Sequence, residues 1–211
     1  MRAFIFDFDG VLVESGPLQM KFVHHVAEHF GVTPLPESDY KNLARQSFDV
    51  HYDRMGIPWE KNQGRLRRMF IDFMISQGMR VSEDDCAVLR RLKESGLALG
   101  IASMNSHEVI SAVLRDSGLK DLFSAIATIE DVTRHKPHPD VLLVCAKRMG
   151  MLPCDCAYVG DLVTDVQAAK AAGMMAIAKE SYMSSGLADS GPDASVASLA
   201  QLSVCLATML K

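Results

Sequence analysis

The stretch Ala3-Phe4-Ile5-Phe6-Asp7-Phe8-Asp9-Gly10 decides how the rest of the chain is read. Ala3–Phe8 has strand length and an apolar, aromatic content, and it runs without a break into aspartates and a glycine. Further apolar runs of strand length follow at Leu97–Ser103, Ala125–Ile129, Ala157–Gly160 and Met174–Ala178. Between them lie segments of helical period, Glu83–Ser95, Ser106–Ser117, Asp140–Met149 and Thr164–Ala172. Ser106 suits an N-cap, and Gly118, Gly150 and Gly173 each stand just past a helix end, where a left-handed residue closes the last turn. Alternation of this kind predicts an α/β fold, a parallel sheet flanked by helices. A last strand near Ala194–Ala197 and a helix over Leu199–Leu210 are expected to finish it.

One stretch breaks the rhythm. Residues 15–82 hold helical patterns rich in His, Met, Phe and Arg, interrupted by Gly31, Pro34, Pro36, Gly56, Pro58 and Gly78, with no strand pattern. The expected organisation is therefore a core of residues 1–14 and 83–211 with a helical insertion at 15–82, placed directly after the first strand. The turn chemistry of Ser15-Gly16-Pro17 and of 78–82 suits hinges at its two ends.

The chain has 211 residues, 48% hydrophobic and 23% charged, which is enough to bury a core and excludes wholesale disorder. Lys plus Arg total 22 against 26 Asp plus Glu, so the broad positive field of a nucleic-acid binder is missing. No run of 18 apolar residues suggests a membrane span, and the opening apolar stretch is too short for a signal sequence. The five cysteines are odd in number and follow no zinc or redox spacing; Cys154-Asp155-Cys156 reads as a turn. Together these features predict a cytoplasmic protein, and no motif specifies an oligomeric state.

The chemistry collects at strand ends, where an open parallel sheet binds its ligands. The first strand ends at Asp7, Asp9 and Gly10, the second at Ser103 and Asn105, Lys136-Pro137 follows the third, and the fourth ends at Asp161 with Asp165 four residues on. Four carboxylates in one crevice repel one another and call for a cation. Oxygen ligands without His or Cys suit Mg²⁺ better than Zn²⁺. A divalent ion, the ammonium of Lys136 and the hydroxyl and amide of Ser103 and Asn105 form a set suited to holding a phosphoryl group, which a carboxylate can attack.

On Asp7-Phe8-Asp9-Gly10-Val11-Leu12-Val13-Glu14-Ser15, Ile101–Asn105, Lys136-Pro137-His138-Pro139-Asp140 and Gly160–Met174, in this order, the chain resembles the haloacid-dehalogenase-like hydrolases. Within them it is similar to the helical-capped branch of phosphoglycolate phosphatases and β-phosphoglucomutases. The resemblance implies a Rossmann-like core, a helical cap at 15–82, and a Mg²⁺-dependent phosphatase of a small phosphorylated metabolite, with neither a nucleic acid polymer nor a membrane as partner. It makes Asp7 the nucleophile of an aspartyl-phosphate intermediate and Asp9 the general acid and base. Mg²⁺ would be held by Asp7, the Asp9 backbone carbonyl and Asp161, with Asp165 either ligating through water or orienting Lys136. Ser103, Asn105 and the backbone around Gly10 would bind the phosphoryl oxygens.

Two positions depart from relatives. His135 stands where a glycine usually precedes the lysine, and Gln19 stands where a mutase is expected to carry a histidine that manages its general acid. A phosphosugar mutase is accordingly the second enzymatic reading, and a binding or regulatory protein that keeps the fold is the non-enzymatic one. Among other candidates, Arg45 lies in the cap segment that faces the active site in similar proteins and could grip an anionic substrate end. Arg65, Arg67 and Arg68 read as a solvated helix face, His25 and His29 as solvent-facing or packing residues, and Met20, Phe22, Val23, Val26 and Phe30 as helix core.

Overall fold

A computed structural model describes residues 1–39 and 48–202 of the chain. Six strands form one parallel sheet: β1 Ala3–Phe6, β2 Ala98–Ala102, β3 Ala125–Ala127, β4 Cys156–Gly160, β5 Met175–Lys179 and β6 Ala194–Val196. Their order is β3-β2-β1-β4-β5-β6. The chain thus builds outward from β1 to one side, then returns and builds outward to the other. The reversal leaves a crevice beyond the carboxyl ends of β1 and β4, the topological switch point of this architecture. Phe6 pairs with Ile101 on one side and Val159 on the other, so β2 and β4 each run one residue beyond the end of β1.

The two-residue period of the strands sorts β1 between two layers. Phe4 and Phe6 enter one core with Leu99, Ile101, Val159 and Ile177, covered by helices α4 (Glu83–Glu94) and α5 (His107–Asp116). Ala3 and Ile5 enter the other with Ala102, Tyr158 and Ala176, under α6 (Asp140–Arg148) and α7 (Val163–Ala172). Gly100 lets α6 approach β2: a Cβ there would lie 2.5 Å from Met149 Sδ and 2.8 Å from Cys145 Sγ.

The strand and helix expectations hold with small changes at the ends. β1 stops at Phe6 because Asp7 turns its own carboxylate onto the Phe8 N–H, 2.7 Å away, and so draws that group out of the ladder. The chain then coils tightly, with Leu12 N–H donating to the Phe8 carbonyl and Gly10 at φ 72°. β3 is shorter than expected because a one-turn helix at Ile129–Asp131 takes over, its start held by the Thr128–Asp131 side-chain bonds. Ser106 caps α5 by accepting from Val109 N–H, and Gly173 closes α7 in the left-handed conformation. Of the expected last helix, only Leu199–Gln201 and Leu202 are described; the remainder lies outside the described residues.

The described part of residues 15–82 contains α1 (Gly16–Phe30), α2 (Phe48–Arg54) and α3 (Trp59–Ser76) and no strand. These helices enclose a third cluster built on Phe22, Val26, Tyr52, Ile57 and Leu66. His25 packs its ring near Phe22 and Phe73, and His29 meets Arg65, so neither histidine joins a metal-ligand group among the described residues. No helix among the described residues is long and apolar enough to cross a membrane. Leu99 is fully buried at the centre of the sheet. Leu99→Ala is expected to cost about 2–5 kcal/mol, the range for a buried leucine whose cavity only partly collapses, read as a lower urea midpoint at unchanged slope.

Candidate active site

At the switch point, Asp7 follows β1 immediately and Asp161 follows β4 immediately, so neighbouring strands deliver two carboxylates side by side. Asp165 enters from the first turn of α7, where its Oδ2 accepts from the N–H groups of Asp161 (3.1 Å) and Leu162 (2.9 Å). That satisfies backbone donors at the helix start and suits the local dipole. One oxygen each from Asp7, Asp161 and Asp165 lies within 4.8 Å of the others, and all three residues are buried.

Lys136 meets this cluster with all three of its ammonium protons placed. Its Nζ is 2.8 Å from Asp7 Oδ2, 2.6 Å from Asp165 Oδ1 and 2.9 Å from the Tyr158 hydroxyl, which in turn donates to the Ala102 carbonyl at the end of β2. Asp165 is therefore engaged through both oxygens, one on Lys136 and one on the helix start. His135 has no positive φ, because among the described residues only glycines do, so the glycine usual before the lysine is not needed for the backbone path here.

Asp9, two residues beyond Asp7, sits in a separate hydrogen-bonded pocket. Its Oδ1 accepts from Ser15 Oγ at 2.5 Å and Gln19 Nε2 at 3.3 Å, and its Oδ2 from Asn105 Nδ2 at 2.9 Å. Asn105, expected to bind phosphoryl oxygens, lines the same crevice and donates from its amide to Asp9, since the ends of β1 and β2 lie side by side. Ser103 is buried, and its Oγ accepts from Asn105 N–H while its own proton remains to be placed. Gly10 is required twice over: its φ is 72°, and a Cβ would overlap the Asp161 carboxylate. Gly160 likewise leaves room for the Asp165 side chain.

The charges carry a cost. Burial raises the Asp7 pKa to about 6, with Lys136 pulling it down and Asp165 pushing it up. Burial, then the charges of Asp165 and Asp7, push Asp161 well above the usual carboxylate range. Asp9 is raised by burial, against the hydrogen bonds from Ser15 and Asn105. Burial disfavours the Lys136 charge, yet Asp165 and Asp7 hold its pKa well above the ordinary lysine value. A crowded, oxygen-only, anionic donor set of this kind fits a hard divalent cation such as Mg²⁺.

A cavity of about 510 Å³ opens from these residues toward the helical region. Its floor carries Asp7, Asp9, Gly10, Ser103, Asn105, Lys136, Asp161 and Asp165, every core site residue expected from sequence. Arg45 lies outside the described residues. Arg67 is exposed, as expected of a solvated face, and also lines the cavity beside Trp59, 5.8 Å from its ring, while Arg68 turns away to Asp72 and Glu108. Sequence reading also left Tyr158 without a role, because a tyrosine inside a strand looks like ordinary core. Lys179, whose Nζ holds the Gly10 carbonyl at 2.9 Å, carries no motif at its strand end and gives no sequence signal of this contact.

Two outcomes follow from the packing and the charges. Gly10→Ala is expected to abolish divalent-cation binding in calorimetry, by displacing Asp161. Asp161→Asn is expected to raise the thermal midpoint in chelator at pH 8, read by differential scanning calorimetry against the parent protein. Folding raises this pKa, so the native state loses stability as pH climbs from the ordinary 3.8 through the folded value, and the loss is complete above it. The gain from Asp161→Asn should accordingly shrink as pH falls toward 4.

Residues 4–179 match the family profile described as haloacid dehalogenase-like hydrolase. The chain is 33% identical over 181 residues to a phosphoglycolate phosphatase of Synechococcus elongatus, spanning 84% of this chain and 83% of that one. It is 30% identical over 185 residues to hexitol phosphatase B of Escherichia coli, spanning 83% and 82%. Among solved structures, CbbY of Rhodobacter sphaeroides in complex with phosphate superposes with a TM-score of 0.83 at 21% identity over 96% of both chains. A β-phosphoglucomutase of Clostridium difficile does so at 0.78 and 22%, over 96% of this chain and 93% of its own. At those identities the two structures speak for the fold, and the sequence matches for the lineage: the chain belongs to the haloacid dehalogenase-like hydrolase family.

Proposed function

We propose that this protein is a Mg²⁺-dependent phosphatase of a small phosphate monoester, acting through an aspartyl-phosphate intermediate in the cytoplasm. The observation that carries the reading is the division of labour between Asp7 and Asp9. Two carboxylates two residues apart sit in unlike surroundings, one on the ammonium of Lys136, the other on neutral donors with its pKa raised. Carboxylates driven apart in this way suit a nucleophile and an acid.

In the proposed reaction an Asp7 carboxylate oxygen attacks phosphorus and the ester P–O bond breaks. Asp9 gives its proton to the departing alkoxide. Asp9, now a carboxylate, takes a proton from water as that water attacks the phosphorus; the bond to Asp7 breaks and inorganic phosphate leaves. Lys136 and Ser103 would hold phosphoryl oxygens, and Asp165 would keep Lys136 in place. Mg²⁺, held by Asp7, the Asp9 carbonyl and Asp161, would supply charge stabilisation at the phosphoryl group. Residues 15–82 would act as a cap over the cavity, contributing Arg67 and the aromatic wall to substrate choice and excluding bulk water.

The similar curated proteins act on phosphoglycolate and hexitol phosphates by name, which supports a small phosphorylated metabolite as the substrate class. Hydrolysis is favoured over mutase chemistry by Gln19: its amide reaches Asp9 from the first turns of α1, and an amide does not exchange protons with a carboxylic acid near neutral pH. With p-nitrophenyl phosphate and a panel of sugar phosphates and phosphoglycolate, free phosphate rather than an isomeric ester is the expected product. Asp7→Asn and Asp9→Asn should each lower kcat by roughly 10²–10⁴ while leaving the fold intact by circular dichroism. Turnover unaffected by either change or by chelator would overturn the reading.

A further inference from the structure

The segment after β5 reaches Asp161, the one carboxylate of the cluster to which Lys136 makes no hydrogen bond. Ser181 Oγ lies 2.5 Å from Asp161 Oδ2, and Ser184 Oγ lies 2.8 Å from the Asp161 carbonyl oxygen. Their protons can be assigned by elimination. Ser184 Oγ accepts from Ser181 N–H (2.9 Å), and Ser181 Oγ accepts from Met183 N–H (3.1 Å). Each hydroxyl has one proton: that of Ser184 goes to the Asp161 carbonyl oxygen, which cannot donate, and that of Ser181 goes to the ionised Asp161 carboxylate, a nearer acceptor at 2.5 Å than the Ser184 hydroxyl at 3.3 Å. A hydroxyl-to-carboxylate bond this short falls in the charge-assisted range. Asp161 Oδ1 accepts no bond from a side chain or N–H among the described residues.

The segment is itself anchored at both flanks. Lys179 ties its start to the Gly10 carbonyl, Tyr182 N–H donates to Glu14 (3.2 Å), and the Tyr182 hydroxyl meets Glu37. Met183 is buried among the side chains of the helical region. Gly16 is kept bare for it, since a Cβ there would come within 2.6 Å of the Tyr182 ring.

We infer that Ser181 is a positioning residue for divalent-cation binding: its hydroxyl takes up one oxygen of Asp161, fixes the carboxylate's rotation against Gly10, and leaves the other oxygen for the ion. The inference rests on the proposed metal dependence. Outer donors that orient a ligand carboxylate typically change metal affinity 10- to 100-fold. Through Met183 and Tyr182 the same segment ties that orientation to the helices that roof the cavity.

The test is titration of the full-length protein with Mn²⁺, free ion being read by electron paramagnetic resonance without substrate. Ser181→Ala should weaken binding about tenfold, Ser181→Thr, which keeps the donor, should stay within about twofold, and Ser184→Ala should fall between. The Mg²⁺ concentration for half-maximal phosphatase activity should rise in the same order. Thermal melting in chelator checks folding; if Ser181→Ala does not fold, the Ser184→Ala and Ser181→Thr titrations decide, and parental affinity in Ser184→Ala would overturn the inference. So would parental affinity in Ser181→Ala, or equal loss in the alanine and threonine variants. Absence of Mn²⁺ binding by the parent protein would overturn the metal-dependent reading itself.

Discussion

Lys136 is the hinge of the electrostatics. Its side chain is 6% exposed, and the two carboxylates it pairs with are 8% and 1% exposed. Desolvating one ammonium and two carboxylates is tolerable only because every Lys136 proton has an acceptor and Asp165 is also held by backbone N–H groups. The pairing is still incomplete in charge. One cation faces Asp7 and Asp165, with Asp161 within reach of both, so negative charge remains uncompensated in a buried place. A bound divalent cation would offset that excess, and a phosphate would balance the cation. Stability held back in the protein alone is thus available to drive binding.

Around this knot, small residues matter for what they leave empty. Gly10 makes room for the Asp161 carboxylate, Gly160 for the Asp165 side chain, and Gly100 for the α6 residues behind the sheet. The result is a site in which carboxylates from β1, β4 and α7 converge within a few ångströms without backbone in the way. Asp9 is held differently. Its three donors come from the first turns after β1 and from the end of β2, so its setting depends on how the chain enters the helical region at Ser15 and Gln19. Asp7 and Asp9 are therefore supported by separate parts of the molecule.

The parallel sheet and the positions of Asp7, Asp9, Lys136, Asp161 and Asp165 were legible because each depends on local signals. These are an apolar run of strand length, a polar break, and a carboxylate or lysine at that break. Helix closures at Gly118, Gly150 and Gly173 were legible for the same reason, since a left-handed residue is a local demand. Less visible were residues whose role is to touch something distant in sequence. Tyr158 looks like a core aromatic until Lys136 is placed 2.9 Å from its hydroxyl, and Arg67 is a surface charge that the fold also sets at the edge of the cavity. Ser181 lies 20 residues beyond Asp161 in a stretch of no distinctive pattern.

Sequence alone therefore determined the fold class, the interruption after the first strand, and which side chains gather at the strand ends, because period, turn residues and strand-end charges are written within a few positions of one another. Tertiary structure decided which of those side chains act on each other. It assigned the two oxygens of Asp165 to Lys136 and the helix start, turned the Asn105 amide to Asp9, and brought Ser181 onto Asp161. The physical reason is that hydrogen bonds and buried charges act over about 3 Å in space, whatever the separation along the chain, and only the packed sheet and helices bring such partners that close.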